Sequence, residues 1–116
     1  MDDSESKKVF RIVTGKNENS TIKWPVQVGE AIQFSGADYY LVKFNMLPEQ
    51  RYYLKKNENS QVDYTVYSDI TDDGTQRKFL CPCAFGTVSS DLKTFLTLTF
   101  PFPGSRVYVD LIPKND

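Results

Sequence analysis

Hydrophobic and polar residues alternate along most of this chain. In the clearest run Leu92, Leu96, Leu98 and Phe100 fall on one side of an extended backbone, and Lys93, Thr97 and Thr99 fall on the other. Val107, Val109 and Leu111 repeat the pattern after the break Pro101-Phe102-Pro103-Gly104, which predicts two strands with one buried face. Upstream, Lys8–Thr14 reads as a first short strand, closed by the turn-forming residues Gly15-Lys16-Asn17-Glu18-Asn19-Ser20. Ile22, Trp24, Val26 and Val28 then alternate with Thr21, Lys23, Pro25 and Gln27. Proline donates no ladder hydrogen bond, so this strand belongs at an edge.

Gly29 separates it from a short strand around Ala31–Phe34, and Ser35-Gly36-Ala37-Asp38 turns the chain again. Tyr40, Val42, Phe44 and Met46 alternate with Tyr39, Leu41, Lys43 and Asn45. The segment Leu47–Lys56 admits a short helix or a strand, and its Arg-Tyr-Tyr-Leu centre favours the strand. Val62, Tyr64 and Val66 make another alternating run. Asp69–Thr75 reads as an acidic loop, Arg77–Cys83 as a strand, and Phe85–Asp91 as a loop. About eight short strands with turns every eight to twelve residues predict an all-β fold, a small antiparallel β-sandwich or barrel with little or no helix. Short connections require the antiparallel pairing. Residues 1–7 are expected to be a disordered N-terminal tail, and 8–116 a single β domain.

One internal echo stands out. Lys16-Asn17-Glu18-Asn19-Ser20 recurs as Lys56-Asn57-Glu58-Asn59-Ser60, and the apolar positions that follow stay in register as far as Val66. A duplicated β unit would explain it. So would a polar turn followed by an alternating strand, occurring twice.

Composition narrows the function. The 116 residues include one Trp, seven Tyr and eight Phe, are 40% hydrophobic and carry a net charge of -1. The sequence pI is near 5.4 and the mean hydropathy is -0.45. This balance speaks against a surface coated in basic charge for duplex DNA or an anionic membrane. No stretch approaches the ~20 apolar residues of a spanning helix. The polar start, with no apolar segment behind it, points to a cytoplasmic protein. The chain has no histidine. Serine–histidine and cysteine–histidine nucleophile pairs, histidine general bases and histidine metal ligands are all excluded.

Three motifs carry candidate chemistry. Cys81-Pro82-Cys83 places two thiols on one face of a strand. Zinc takes four ligands, so a closed site would need carboxylates or a second copy's pair. The simpler reading is two small thiols in a reducing compartment, and no metal or other cofactor is assigned. Asp69, Thr71 and Asp73 with Gly74 match the first half of a calcium loop, but the position of the closing glutamate holds Leu80. Asn19-Ser20-Thr21 fits a glycosylation acceptor, idle without a secretory route.

Basic and aromatic residues interleave at Tyr39-Tyr40 with Lys43, at Arg51-Tyr52-Tyr53 with Lys55 and Lys56, and at Arg77-Lys78-Phe79. Arg106 and Tyr108 share the outward face of the last strand. The expectation is a non-enzymatic binding module for a protein partner or for self-association, with no membrane role. It would use Tyr39, Lys43, Arg51, Tyr52, Tyr53 and Lys55, with the strand around Trp24-Pro25 as a candidate edge. The alternative is a single-stranded nucleic-acid-binding domain on the same six residues, bases stacking on tyrosines and cations tracking the backbone.

Overall fold

Eight antiparallel strands form one closed barrel in simple meander order. They are β1 (Lys7–Glu18), β2 (Thr21–Phe34), β3 (Tyr39–Phe44), β4 (Leu47–Lys56), β5 (Asp63–Asp72), β6 (Arg77–Val88), β7 (Phe95–Phe100) and β8 (Ser105–Asp110). The structure is a computed structural model and describes residues 7–72, 74, 76–90, 92, 94–101 and 105–112. Residues 1–6 of the expected tail lie outside the described residues, as do Asp73, Thr75, Asp91, Lys93 and the break residues Phe102-Pro103-Gly104. The last residue assigned to the tail, Lys7, opens β1.

The alternation read from the sequence becomes a ring of inward side chains. Phe10 lies across from Ala31, Ala31 from Val42, Leu54 from Val66, and Val66 from Ala84. Leu96 and Leu98 lie across from Val109 and Val107, and Ile12 across from Val109 completes the circle. These residues form one buried cluster. An eight-stranded barrel is just wide enough for its own side chains to fill, and here they do. Gly86 makes the room: a Cβ there would stand 2.7 Å from Leu98 Cδ2. Aromatic pairs close both ends. Phe10 meets Tyr40 edge-on at 5.4 Å at one end, and Phe44 meets Tyr52 and Phe100, each at 5.8 Å, at the other.

Several boundaries differ from the expected ones, each for a local reason. Gly15 is no turn; β1 runs on to Glu18, and the reversal is made by Asn19 and Ser20, both with φ near +60° (52° and 66°). Two consecutive positive-φ residues make the tight hairpin turn whose twist suits antiparallel strands. Gly29 does not break β2, and the ambiguous Leu47–Lys56 is strand throughout. The supposed acidic loop is mostly ladder: Asp69, Ile70, Thr71 and Asp72 pair with Leu80, Phe79, Lys78 and Arg77. Thr71 therefore sits in an extended strand rather than the curled loop that calcium requires. Phe85–Val88, expected in a loop, pairs with both β5 and β7.

Leu92 precedes β7 and packs outside the barrel wall, with Val13 and Tyr108 in a second buried cluster. Tyr108 thus faces outward as expected and is nonetheless covered. The repeated Lys-Asn-Glu-Asn-Ser segments precede β2 and β5, strands of opposite direction in the meander. A rotation carrying one onto the other would also reverse the sense in which the meander circles, so the echo does not mark two equivalent halves. No described residue is helical, and no helix is long and apolar enough to cross a membrane.

Leu54 is fully buried at the centre of the ring, whereas Phe85 is 60% exposed on the outside. Urea unfolding should find Leu54→Ala destabilised by about 2–5 kcal/mol, and Phe85→Ala by no more than about 0.5 kcal/mol.

Candidate interaction surfaces

Strand parity sorts the six candidate residues. Leu54 is buried, so its neighbours Tyr53 and Lys55 point outward, and Tyr39, across from Lys55, does the same. Tyr52 has the opposite parity to Tyr53 and turns in against Phe44. Lys43 lies across from Glu30 on the outer wall, and Arg51 is exposed two residues before Tyr53. Tyr39, Tyr53 and Lys55 are brought together; Lys43 and Arg51 stand further along the same wall, and Tyr52 does not share it.

What gathers the three is a residue from elsewhere in the chain. Pairing of β4 with β5 ends at Tyr53 and Tyr67, beyond which β5 and β6 continue as a two-stranded arm. The arm crosses the outer wall toward β3. Phe79, on its β6 strand, lies 5.5 Å from Tyr39, 6.4 Å from Tyr53 and 5.5 Å from Tyr67, centroid to centroid. The Lys55 ammonium stands 6.0 Å from the Phe79 ring, and the Arg77 guanidinium 5.0 Å from the Tyr39 ring. Lys55 also reaches Asp38 at 3.8 Å. Cation–π and edge-on ring contacts of this kind contribute modestly each, but here they converge on one side chain.

The bend that starts the arm lies at Cys81-Pro82. Cys81 has φ +59°, and its carbonyl accepts a hydrogen bond from the Ser68 hydroxyl at 3.4 Å. Cys81 is exposed and Cys83 half-buried; both are free thiols. Burial, and then the neighbouring Cys81, push the Cys83 thiol above its ordinary pKa. A raised pKa leaves less of the nucleophilic thiolate at neutral pH. No group of three or more Cys, Asp or Glu gathers among the described residues.

The second surface lies at the barrel end that carries the β3–β4 turn. β2 pairs with β3 only over Gly29–Ile32, and β1 pairs with β8 only at Ile12 and Val13. Beyond those points β1 and β2 stand out as a ribbon paired only with each other among the described residues. The expected edge around Trp24-Pro25 is therefore a real edge. Trp24 is 77% exposed and Val26 60% exposed on this ribbon, while Met46 and Leu47 at the β3–β4 turn are 90% and 46% exposed. Below them opens an apolar depression of about 610 Å³, walled by Val28, Phe44, Met46, Leu47 and Val107 with Arg106 at its side. The depression is open to solvent, and Val107 of the buried ring and Phe44 packed against that ring are among its walls.

Parity in the sequence separates Tyr52 from Tyr53, but nothing in the pattern announces Phe79 as the hub, because its position depends on the bend at Cys81. The mouth residues Met46 and Leu47 read as an ordinary strand end and strand start. Compared with known protein families, with curated proteins and with solved structures, the chain matches none.

If Phe79 holds the arm down, Phe79→Ala should speed amide hydrogen exchange across Asp69–Leu80 by about tenfold. That corresponds to roughly 1–1.5 kcal/mol of lost ring contacts. Exchange at Leu54 and Val66 should stay unchanged; equal acceleration there would mean that the ring contacts support the whole barrel instead.

Proposed function

We propose that this chain is a non-catalytic protein-binding module that engages its partner through the ribbon and mouth at one end of the barrel. The observation that carries the reading is the exposure of four large apolar side chains there, Trp24, Val26, Met46 and Leu47, around an apolar depression. Scattered exposed apolar residues are ordinary, but a contiguous patch with a bulky aromatic is characteristic of interaction sites. The packed ring supports the same reading, because an open hollow accepts an inserted side chain better than it encloses a small molecule.

The alternative, a single-stranded nucleic acid on the tyrosine and lysine wall, is the weaker one. Bases stack on free ring faces, and Tyr39, Tyr53 and Tyr67 each already pack against Phe79. Tyr52, turned inward, offers none.

Photo-crosslinking separates the readings. A photoreactive residue at Val26 or Met46, in the full chain in its own cells, should give protein adducts, and one at the exposed Glu58 should give none. Equal labelling at all three sites would end the assignment to this surface. In parallel, a labelled mixed-sequence oligonucleotide titrated at low salt should show no saturable anisotropy change. Binding that weakens with salt and with Lys43→Glu would instead favour the nucleic-acid reading.

A further inference from the structure

The ribbon and the mouth have complementary shapes, one a knob and the other a hollow. Trp24 stands on β2 four residues before Val28, which walls the hollow, yet the indole does not line its own chain's hollow and remains 77% exposed. Its placement is enforced. Trp24 has φ +52°, a left-handed conformation that is a true outlier for a bulky residue. Pro25 behind it fixes its own φ and offers no N–H. Gly15 opposite leaves the space: a Cβ there would meet Ile22 Cγ2 at 2.5 Å and the Lys23 carbonyl at 2.8 Å. An unfavourable backbone conformation is thus locked in around a side chain that gains no burial within the chain.

The hollow suits such a side chain. Its walls are mainly aliphatic and aromatic, with Thr14 and Ser105 beside them, and the only charge among its lining residues is Arg106. The Arg106 side chain is exposed and makes no ion pair or hydrogen bond among the described residues. A guanidinium at the rim can lie over an inserted indole, the best of the aromatic partners for a cation.

We infer, resting on the module reading above, that the partner is a second copy of this chain, docked so that Trp24 of each copy enters the mouth of the other. A two-fold pair makes the knob and hollow contacts together and leaves neither unused, which closes the assembly at two. Edge-to-edge sheet pairing is disfavoured on the same ribbon, because Lys23, Pro25 and the bulge interrupt the free edge. The contact is small. Two indoles bury about 150–250 Å² each, and with Val26, Met46 and Leu47 the interface falls at the small end of specific ones, near ~1,200 Å². The pair should therefore come apart on dilution.

Trp24 is the chain's one tryptophan, so its fluorescence reports this site alone. Sedimentation of the purified full chain, from micromolar to near-millimolar concentration, should show the mass doubling from 13.3 kDa. Over the same range the Trp emission should move to shorter wavelength, and quenching by acrylamide should fall. Trp24→Ser should stay at monomer mass throughout. The double variant Met46→Glu, Leu47→Glu should also stay monomeric, with emission fixed at the dilute wild-type position. All three positions are exposed, and unchanged circular dichroism checks the fold. A mixture of the two variants retains one knob and one hollow, and should recover part of the emission shift. A wild-type chain that stays monomeric at the highest concentration overturns the inference. So does a dimer whose Trp24 remains fully quenchable, a Trp24→Ser dimer of equal strength, or mass that grows beyond two. If the chain is monomeric but Val26 and Met46 still crosslink to another protein, the second-copy assignment fails and the module reading survives.

Discussion

Closure of the sheet rests on a narrow seam. β1 and β8 pair at Ile12 with Val109 and at Val13 with Tyr108, and those two residue pairs join the first strand to the last. The seam is reinforced from both faces. Ile12 and Val109 belong to the buried ring, while Val13 and Tyr108 are covered from outside by Leu92. The Arg11–Asp110 ion pair at 3.3 Å bridges the same two strands. As a half-exposed surface pair it contributes little compared with the apolar contacts. Without closure, β1 and β8 would each present a full-length open edge, and the inward row would face a trough rather than a filled interior.

Closure also decides where function can reside. The ring's interior is packed with Leu, Val, Ile and Ala, so the surfaces described above lie on the outer wall and at the barrel's end. Two hairpins extend beyond the closed ladder, and they are packed differently. The β5–β6 arm carries Phe79, and its ring contacts with three tyrosines lay it against the barrel. The β1–β2 ribbon carries Trp24, for which the described residues provide no such dock. One aromatic is packed by its own chain, and the other is 77% exposed.

The all-β class and most strands were legible because a half-buried strand shows its period directly: Leu96, Leu98, Val107 and Val109 face inward as the alternation predicts. Boundaries were less legible where a residue type has two uses. Gly15 suggests a turn but serves as the small partner opposite a bulge, and the true turn uses Asn19 and Ser20, which tolerate positive φ less well than glycine. Asp69–Asp72 has the polarity of a loop because an arm outside the barrel has no buried face to alternate with. Of the candidate site, the outward set Tyr39, Tyr53 and Lys55 follows from parity. The role of Phe79 does not, since it arises from a bend made by a single residue's backbone.

Both bends have the same local construction. Apart from the turn residues Asn19 and Ser20, the described non-glycine residues at positive φ are Trp24 and Cys81, and each directly precedes a proline. Proline disfavours the right-handed helical region in the residue before it and has no N–H to give the ladder. A strand that must deviate therefore loses least at an X-Pro step, where a hydrogen bond is already missing. At Cys81-Pro82 the deviation turns a hairpin onto the wall. At Trp24-Pro25 it interrupts a free edge that would otherwise invite another strand, and the same kink projects the indole outward. Edge protection and the exposure of the indole thus come from one backbone feature. The exposure of Trp24 follows from how the ribbon avoids indiscriminate pairing.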